Sequence, residues 1–211
     1  MKKVSTKTKI LSTSLQLFNE KGLSQVTLRT IASAMNISQG NLNYHYKKRD
    51  DIIEALYHEL VAKINESISE CEDSYTLEAF FIVMDHIMEN FNEYRFFLLD
   101  FVHIMRDHKK IRDHYALLTE ERKKQMLRFF NELNRTGMMR GQQFNEEHEY
   151  LFIRMQILTD FCFSNASVSN REISIAVKEK YREIILHELH PYLTEKGMEK
   201  FEKLIRKSHK N

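Results

Sequence analysis

Between Gln39 and Arg49 the chain reads Gln-Gly-Asn-Leu-Asn-Tyr-His-Tyr-Lys-Lys-Arg. This stretch is dense in amides and hydroxyls, and three cations follow at once. Asn and Gln amides make bidentate hydrogen bonds to adenine in the major groove, while Tyr hydroxyls and Lys or Arg reach phosphates. On a helix, Leu42 and the ring of Tyr46 share an inward face, which leaves Gln39, Gly40, Asn41, Asn43, Tyr44 and His45 on the other. Gly40 allows close approach of the backbone. Lys47, Lys48 and Arg49 then lie beside the sugar-phosphate chain and supply affinity that does not depend on base sequence. One helix with a polar reading face and an apolar packing face is what a recognition helix requires.

Other residue groups with chemical potential fall short. Asp100-x-x-His103 is a single near match to a di-metal carboxylate motif, which needs two Glu-x-x-His motifs and further carboxylates. In His187-Glu188-Leu189-His190 the histidines are three residues apart, where a zinc protease needs four, and Pro191 follows. No Gly-rich phosphate loop and no nucleophile motif occurs. The two cysteines, Cys71 and Cys162, are too few for a disulfide framework and lack metal-ligand spacing. No enzyme, metal site or cofactor is expected. A redox-sensing regulator working through Cys162 or Cys71 is one alternative reading, and a helical binding module without DNA activity is another.

Several local signals position the reading helix. Apolar residues at Ile10, Leu11, Leu15, Leu17 and Phe18 mark one face of a first helix from Ser5 to Lys21, which Gly22 stops. Thr27 is a good N-cap, and Val26 before it and Ile31 inside it form a hydrophobic staple. The pattern repeats at once with Ser38 as cap, Ile37 before it and Leu42 inside. Asn36 suits the turn between them because asparagine tolerates the left-handed backbone. Two short stapled helices joined by a tight turn predict a helix-turn-helix. A long fourth helix follows through Ile53, Leu56, Tyr57, Leu60, Ile64 and Ile68. Further helices are predicted near 75–92, 95–106, 109–136, 145–165, 170–190 and 194–208. Of only five glycines and one proline, Gly22, Gly137, Gly141, Gly197 and Pro191 lie between apolar-periodic stretches, so an all-α fold of about nine to ten helices is expected.

The run Ile10-Leu11-x3-Leu15-x-Leu17-Phe18-x2-Lys21-Gly22, Thr27-x3-Ile31-Ala32, Ile37-Ser38-x-Gly40-x-Leu42-x2-His45-Tyr46-x2-Arg49-x2-Ile52 resembles the N-terminal signature of the TetR family of regulators. The resemblance implies an all-helical homodimer whose first three helices bind DNA. It also implies a variable C-terminal domain that binds a small molecule, usually relieving repression, and that dimerises through two C-terminal helices of each protomer. Asn36 stands where the family usually has Gly, and Arg49 where it often has Lys. The family's helix-3 aromatic falls on Asn43, with Tyr44 one place later; Tyr44 then takes the phosphate and Asn43 a base or phosphate. The candidate DNA contacts are Thr27, Arg29, Ser38, Gln39, Gly40, Asn41, Asn43, Tyr44, His45, Lys48 and Arg49. For Thr27 a pure capping role, for Arg29 a plain surface charge and for His45 a packing role stand as alternatives.

The division expected is a head over residues 1–48 and a ligand-binding, dimerising body over 49–211. Charge supports it: residues 1–50 hold nine basic and two acidic side chains, so with a net +2 overall the remainder carries −5. Phe and Met recur through 75–165, a composition that packs a core and also suits a cavity for a small, largely apolar ligand. His86, Asp100, His103, Arg154, Gln156 and Asp160 interrupt these faces and are candidates to orient it. One short helix reads too few bases for specificity, so a homodimer on a duplex operator is expected. The helices near 145–165 and 170–190 are the dimerisation candidates, with Leu151, Ile153, Leu158, Ile173, Val177, Ile184 and Ile185 exceeding one core face. Polar residues break up the apolar start of the chain, and the longest apolar run, Ala79 to Met84, is far below the roughly 18 residues of a membrane span. A cytoplasmic protein without membrane association is expected.

Overall fold

The computed structural model describes residues 5–70, 74–169 and 173–209. Among them are eleven α-helices: α1 (Thr6–Lys21), α2 (Leu28–Ala34), α3 (Gln39–His45), α4 (Arg49–Ser69), α5 (Leu77–Glu93), α6 (Arg95–Leu99), α7 (Phe101–Asp107), α8 (Lys109–Arg135), α9 (Glu147–Ser169), α10 (Ile175–His187) and α11 (Glu195–Ser208). The fold is all-α, as the punctuation by glycine and proline predicts. No helix among the described residues is long and apolar enough to cross a membrane.

The first three helices form where their caps and staples place them. Gly22, at φ +76°, ends α1 by donating its N–H to the Phe18 carbonyl. The Thr27 and Ser38 hydroxyls accept from the backbone N–H of Thr30 and Asn41 at 3.2 Å each, opening α2 and α3. Asn36 takes φ +53° in the intervening turn. Val26, Ile31 and Leu42 are fully buried, so both staples close onto one core with α1.

From this head α4 leads into the body and packs along α5, while α8 and α9 form an antiparallel pair. The pairing order shows it: Tyr115 meets Asp160, Lys123 meets Glu149 and Phe130 meets His148. α10 packs on α5 and α9, and α11 returns onto α5. The region predicted as one helix over 95–106 is two, α6 and α7, broken at Asp100 (φ −104°, ψ 17°). A long-range bond accompanies the break: the Asp100 carboxylate accepts from the N–H of Leu23, in the head, at 3.4 Å. The helix predicted near 170–190 is Ile175–His187, opened by Ser174 and followed by a single 3-10 turn over His190–Tyr192; residues 170–172 lie outside the described residues.

One buried ion pair has a consequence for acid stability. Glu147, 3% exposed, accepts both guanidinium arms of Arg140 at 2.7 and 2.9 Å and the N–H of Gln143 at 2.7 Å. The Arg140 hydrogen bond leads in holding its carboxyl down at about 2, against an ordinary 4.5. A folded-state value below the unfolded one stabilises the protein above the unfolded value, and this contribution is lost as pH falls from about 4.5 to about 2. Thermal unfolding between pH 5 and 3 should therefore show a drop in midpoint that Glu147→Gln reduces. Equal slopes for the two proteins would refute the assignment.

Candidate nucleic-acid interface and effector cavity

α3 presents its polar face outward. Leu42 and Tyr46 are buried, while Gln39, Gly40, Asn41 and Asn43 are exposed and Tyr44 is 85% exposed. Among the described residues the side chains of Gln39, Asn41 and Asn43 make no hydrogen bond, so their donors and acceptors are unspent. His45 is half-buried and stands edge-on to the Tyr44 ring at 5.2 Å. Lys47 and Lys48 are exposed beside α3, as is Arg29 on α2. Thr27 and Ser38 lie at the rim, with their hydroxyls serving as caps. Arg49 departs from the sequence expectation: its guanidinium turns back and donates to the carbonyls of Leu23 (2.9 Å) and Val26 (3.3 Å). Through these two bonds Arg49 ties the start of α4 to the chain between α1 and α2.

Behind the head lies a seam that sequence reasoning missed. The Asn19 amide donates to the Glu93 carbonyl at 2.7 Å and its oxygen accepts from the Phe96 N–H at 3.0 Å. With the Asp100–Leu23 bond, these contacts tie α1 and the turn after it to the α5–α6 junction. No local signal marks such a bridge, because both partners are backbone groups more than seventy residues away.

The body holds a half-open cavity of about 280 Å³ between α4, α5, α8 and α9. Ile64, Phe80, Met84, Ile87, Phe91, Leu118, Met126, Phe129, Phe152 and Met155 are among the apolar residues of its wall. Among the polar candidates only Gln156 and Asp160 line it, joined by Ser74, Tyr75, Tyr115, Thr119, Arg122, Gln125 and Arg128, which the sequence reading did not single out. Tyr115 donates to Asp160 at 2.5 Å, and Gln156 donates to Tyr115 at 3.1 Å and to Thr119 at 3.3 Å. Burial raises the Asp160 carboxyl to about 6 and pushes the Tyr115 phenol well up.

The other four polar candidates are placed elsewhere. His86 faces Glu70 at 4.0 Å on the surface, and His103 pairs with Asp107 at 3.5 Å along its own helix. Asp100 belongs to the seam, and Arg154 is spent on Glu188 (3.2 Å) and the Tyr192 hydroxyl (2.5 Å). Periodicity marks a polar interruption but not whether it faces a gap or solvent. The redox reading finds no foothold at Cys162: burial raises its thiol to about 12, and it donates to the Thr159 carbonyl, so thiolate is scarce at neutral pH. Cys71 lies outside the described residues. Among the described residues no cluster of three or more metal-ligating side chains occurs.

Comparison with known proteins places this geometry. Residues 10–56 match the family described as bacterial regulatory proteins, tetR family, and residues 56–201 match one described as a TetR bacterial transcriptional repressor. A probable HTH-type transcriptional regulator, YttP, of Bacillus subtilis (strain 168) is 27% identical over 77 residues, 36% of this chain and 37% of that protein. The match thus spans little more than a third of that relative's length. A TetR-family transcriptional regulator from Marinobacter aquaeolei VT8 superposes with a TM-score of 0.87 at 25% identity, covering 97% of this chain and 98% of the other. At 19% identity a putative transcriptional regulator from Saccharomonospora viridis, solved in complex with choline, shares the fold with a TM-score of 0.71 over 89% of this chain and 97% of its own. The fatty acid degradation regulator FadR from Bacillus halodurans shares it at 13% identity, TM-score 0.63, over 88% of this chain and 97% of its own. With both the reading head and the body matched, the chain belongs to the TetR family of bacterial transcriptional regulators.

Proposed function

We propose that this chain is a ligand-responsive repressor that binds a palindromic operator as a homodimer in the cytoplasm, with residues 1–48 as the reading head and 49–211 as the sensing and dimerising body. The observation that carries the proposal is α3 itself, with three unspent amides outward, flanked by Lys47 and Lys48. The contacts are assigned to Gln39, Gly40, Asn41, Asn43 and Tyr44, with Arg29, His45 and Lys48 around them, and Thr27 and Ser38 at the rim. Arg49 is withdrawn from that set.

The dimer reading is supported by an apolar stripe on the outside of the body. Tyr150, Ile153, Ile157, Phe161 and Val168 of α9, with Ile175 and Ile184 of α10, are exposed. Of the residues expected there, Leu151 and Ile185 are instead buried within the protomer. Two copies of α3 would be spaced by about 34–36 Å, one turn of duplex. An effector that prefers a body state with another head spacing weakens operator binding, and a coupling of about 1–3 kcal/mol changes affinity roughly 5–150-fold. The cavity supports a small, largely apolar effector, and relatives of this fold carry different chemistries, choline in the S. viridis protein among them.

Selection of bound duplexes from a random pool, followed by titration of the winner at several salt concentrations, tests the reading. A palindrome with a steep salt slope is expected. No enriched motif from folded, dimeric protein would overturn it. On the selected operator Asn43→Ala should relax sequence preference by about 1–3 kcal/mol, read as the affinity ratio between operator and single-base variants. An unchanged ratio would remove Asn43 from base reading.

A further inference from the structure

The described part of the cavity wall holds a single carboxylate, that of Asp160, and it has no cationic partner among the described residues. Its bonding is to neutral donors: the Tyr115 hydroxyl points at it, with Gln156 and Thr119 behind. A carboxylate in an apolar wall is costly unless something positive meets it or it takes up a proton. With a value of about 6 it is mostly ionised at neutral pH, so the negative charge is present before any ligand arrives. Aromatic faces line the same space, Phe91, Phe152 and Tyr115 among them, and such faces attract cations while tolerating alkyl groups.

Two arginines of α8, Arg122 and Arg128, also line the cavity, and Arg128 is exposed to solvent. Arg122 follows Tyr115 by seven residues on α8, about 10 Å along the axis. Its guanidinium donates to the amide oxygens of Asn65 on α4 and, at 2.7 Å, of Gln125 on α8, so two of its donors are already taken by neutral groups. A cationic head is repelled from the arginine end and drawn to the Asp160 end, and the side chains of Leu118, Met126 and Phe129 are left for a hydrocarbon body.

From this arrangement we infer that the effector is an amphiphilic organic cation, an ammonium-headed molecule whose positive group pairs with Asp160 while its apolar body lies along α8. The inference rests on the reading of this cavity as the effector site.

Its test uses three probes sharing one tail, octyltrimethylammonium, 1-octanol and octanoate, titrated calorimetrically into the full-length protein and into Asp160→Asn. In the wild type the ammonium should bind about tenfold or more tighter than octanol, the size of one desolvated contact between a cation and an aromatic face beside the carboxylate. Asp160→Asn should abolish that preference and keep octanol binding. Tighter binding of octanoate would give the head group to Arg122 and overturn the inference, as would equal affinities, an unaltered preference in Asp160→Asn, or no binding of any probe. Since the wild-type comparison alone decides between charges, a folding defect in the variant would not rescue it. Operator release is read separately. Charge-selective binding without release would overturn the effector reading and leave the Asp160 assignment, whereas release by octanol and octanoate alone would do the reverse.

Discussion

Phe96→Ala is expected to lower the unfolding free energy by about 3–5 kcal/mol, the range for emptying a large aromatic site in a packed core. Phe96 is 1% exposed, lies 5.2 Å from the Phe18 ring of α1 and touches Phe97 edge-on. Its backbone N–H is the one held by Asn19, so the ring and the amide secure the same seam between head and body. Against a total stability of roughly 5–15 kcal/mol the loss is a large fraction. Urea titration at fixed protein concentration should show it, with Phe96→Leu costing much less because most of the volume is kept. Hydrogen exchange should speed up most in α1 to α3. A cost below about 1 kcal/mol for Phe96→Ala would mean that head and body do not share one core.

The second large effect, at Gly197, runs against helix propensity. Exchanging Gly for Ala in a helix interior ordinarily stabilises by about 1 kcal/mol. A β-carbon on Gly197 would stand 2.0 Å from the Met138 carbonyl oxygen and 3.2 Å from the Leu193 side chain. That carbonyl cannot swing aside freely, because it accepts the Thr194 N–H at 3.0 Å, and Met139 and Leu193 form an antiparallel bridge beside it. Steric overlap therefore wins, and Gly197→Ala should destabilise by about 1–3 kcal/mol or more by undocking the start of α11. Gly141→Ala, whose nearest contact would be Asn134 at 3.8 Å, is the matched control and should leave the thermal midpoint nearly unchanged. A Gly197→Ala protein as stable as the wild type would refute the close approach.

These two positions also show where sequence reading stops. The caps at Thr27 and Ser38, the staples and the left-handed Asn36 are local devices, and they are legible because each works within a few residues of itself. The polar face of α3 is legible for the same reason. The break at Asp100 is not, since it accompanies a bond to Leu23 across 77 positions. Nor is the retreat of Arg49, whose charge and position both suit a phosphate until the two carbonyls it holds are seen. For the cavity, composition pointed to Phe and Met, yet four of six polar candidates face elsewhere. Whether a helix face meets a gap or a neighbour is decided by the packing of four helices together.

The Asn19 amide grips two carriers at once, the last carbonyl of α5 and the second N–H of α6. A planar amide has a fixed span, so it works as a caliper on that junction: α5 and α6 cannot part without one jaw letting go. Phe91, two residues before Glu93, is part of the cavity wall. The junction that follows this wall residue is thus gauged by a side chain of α1, the first helix of the head.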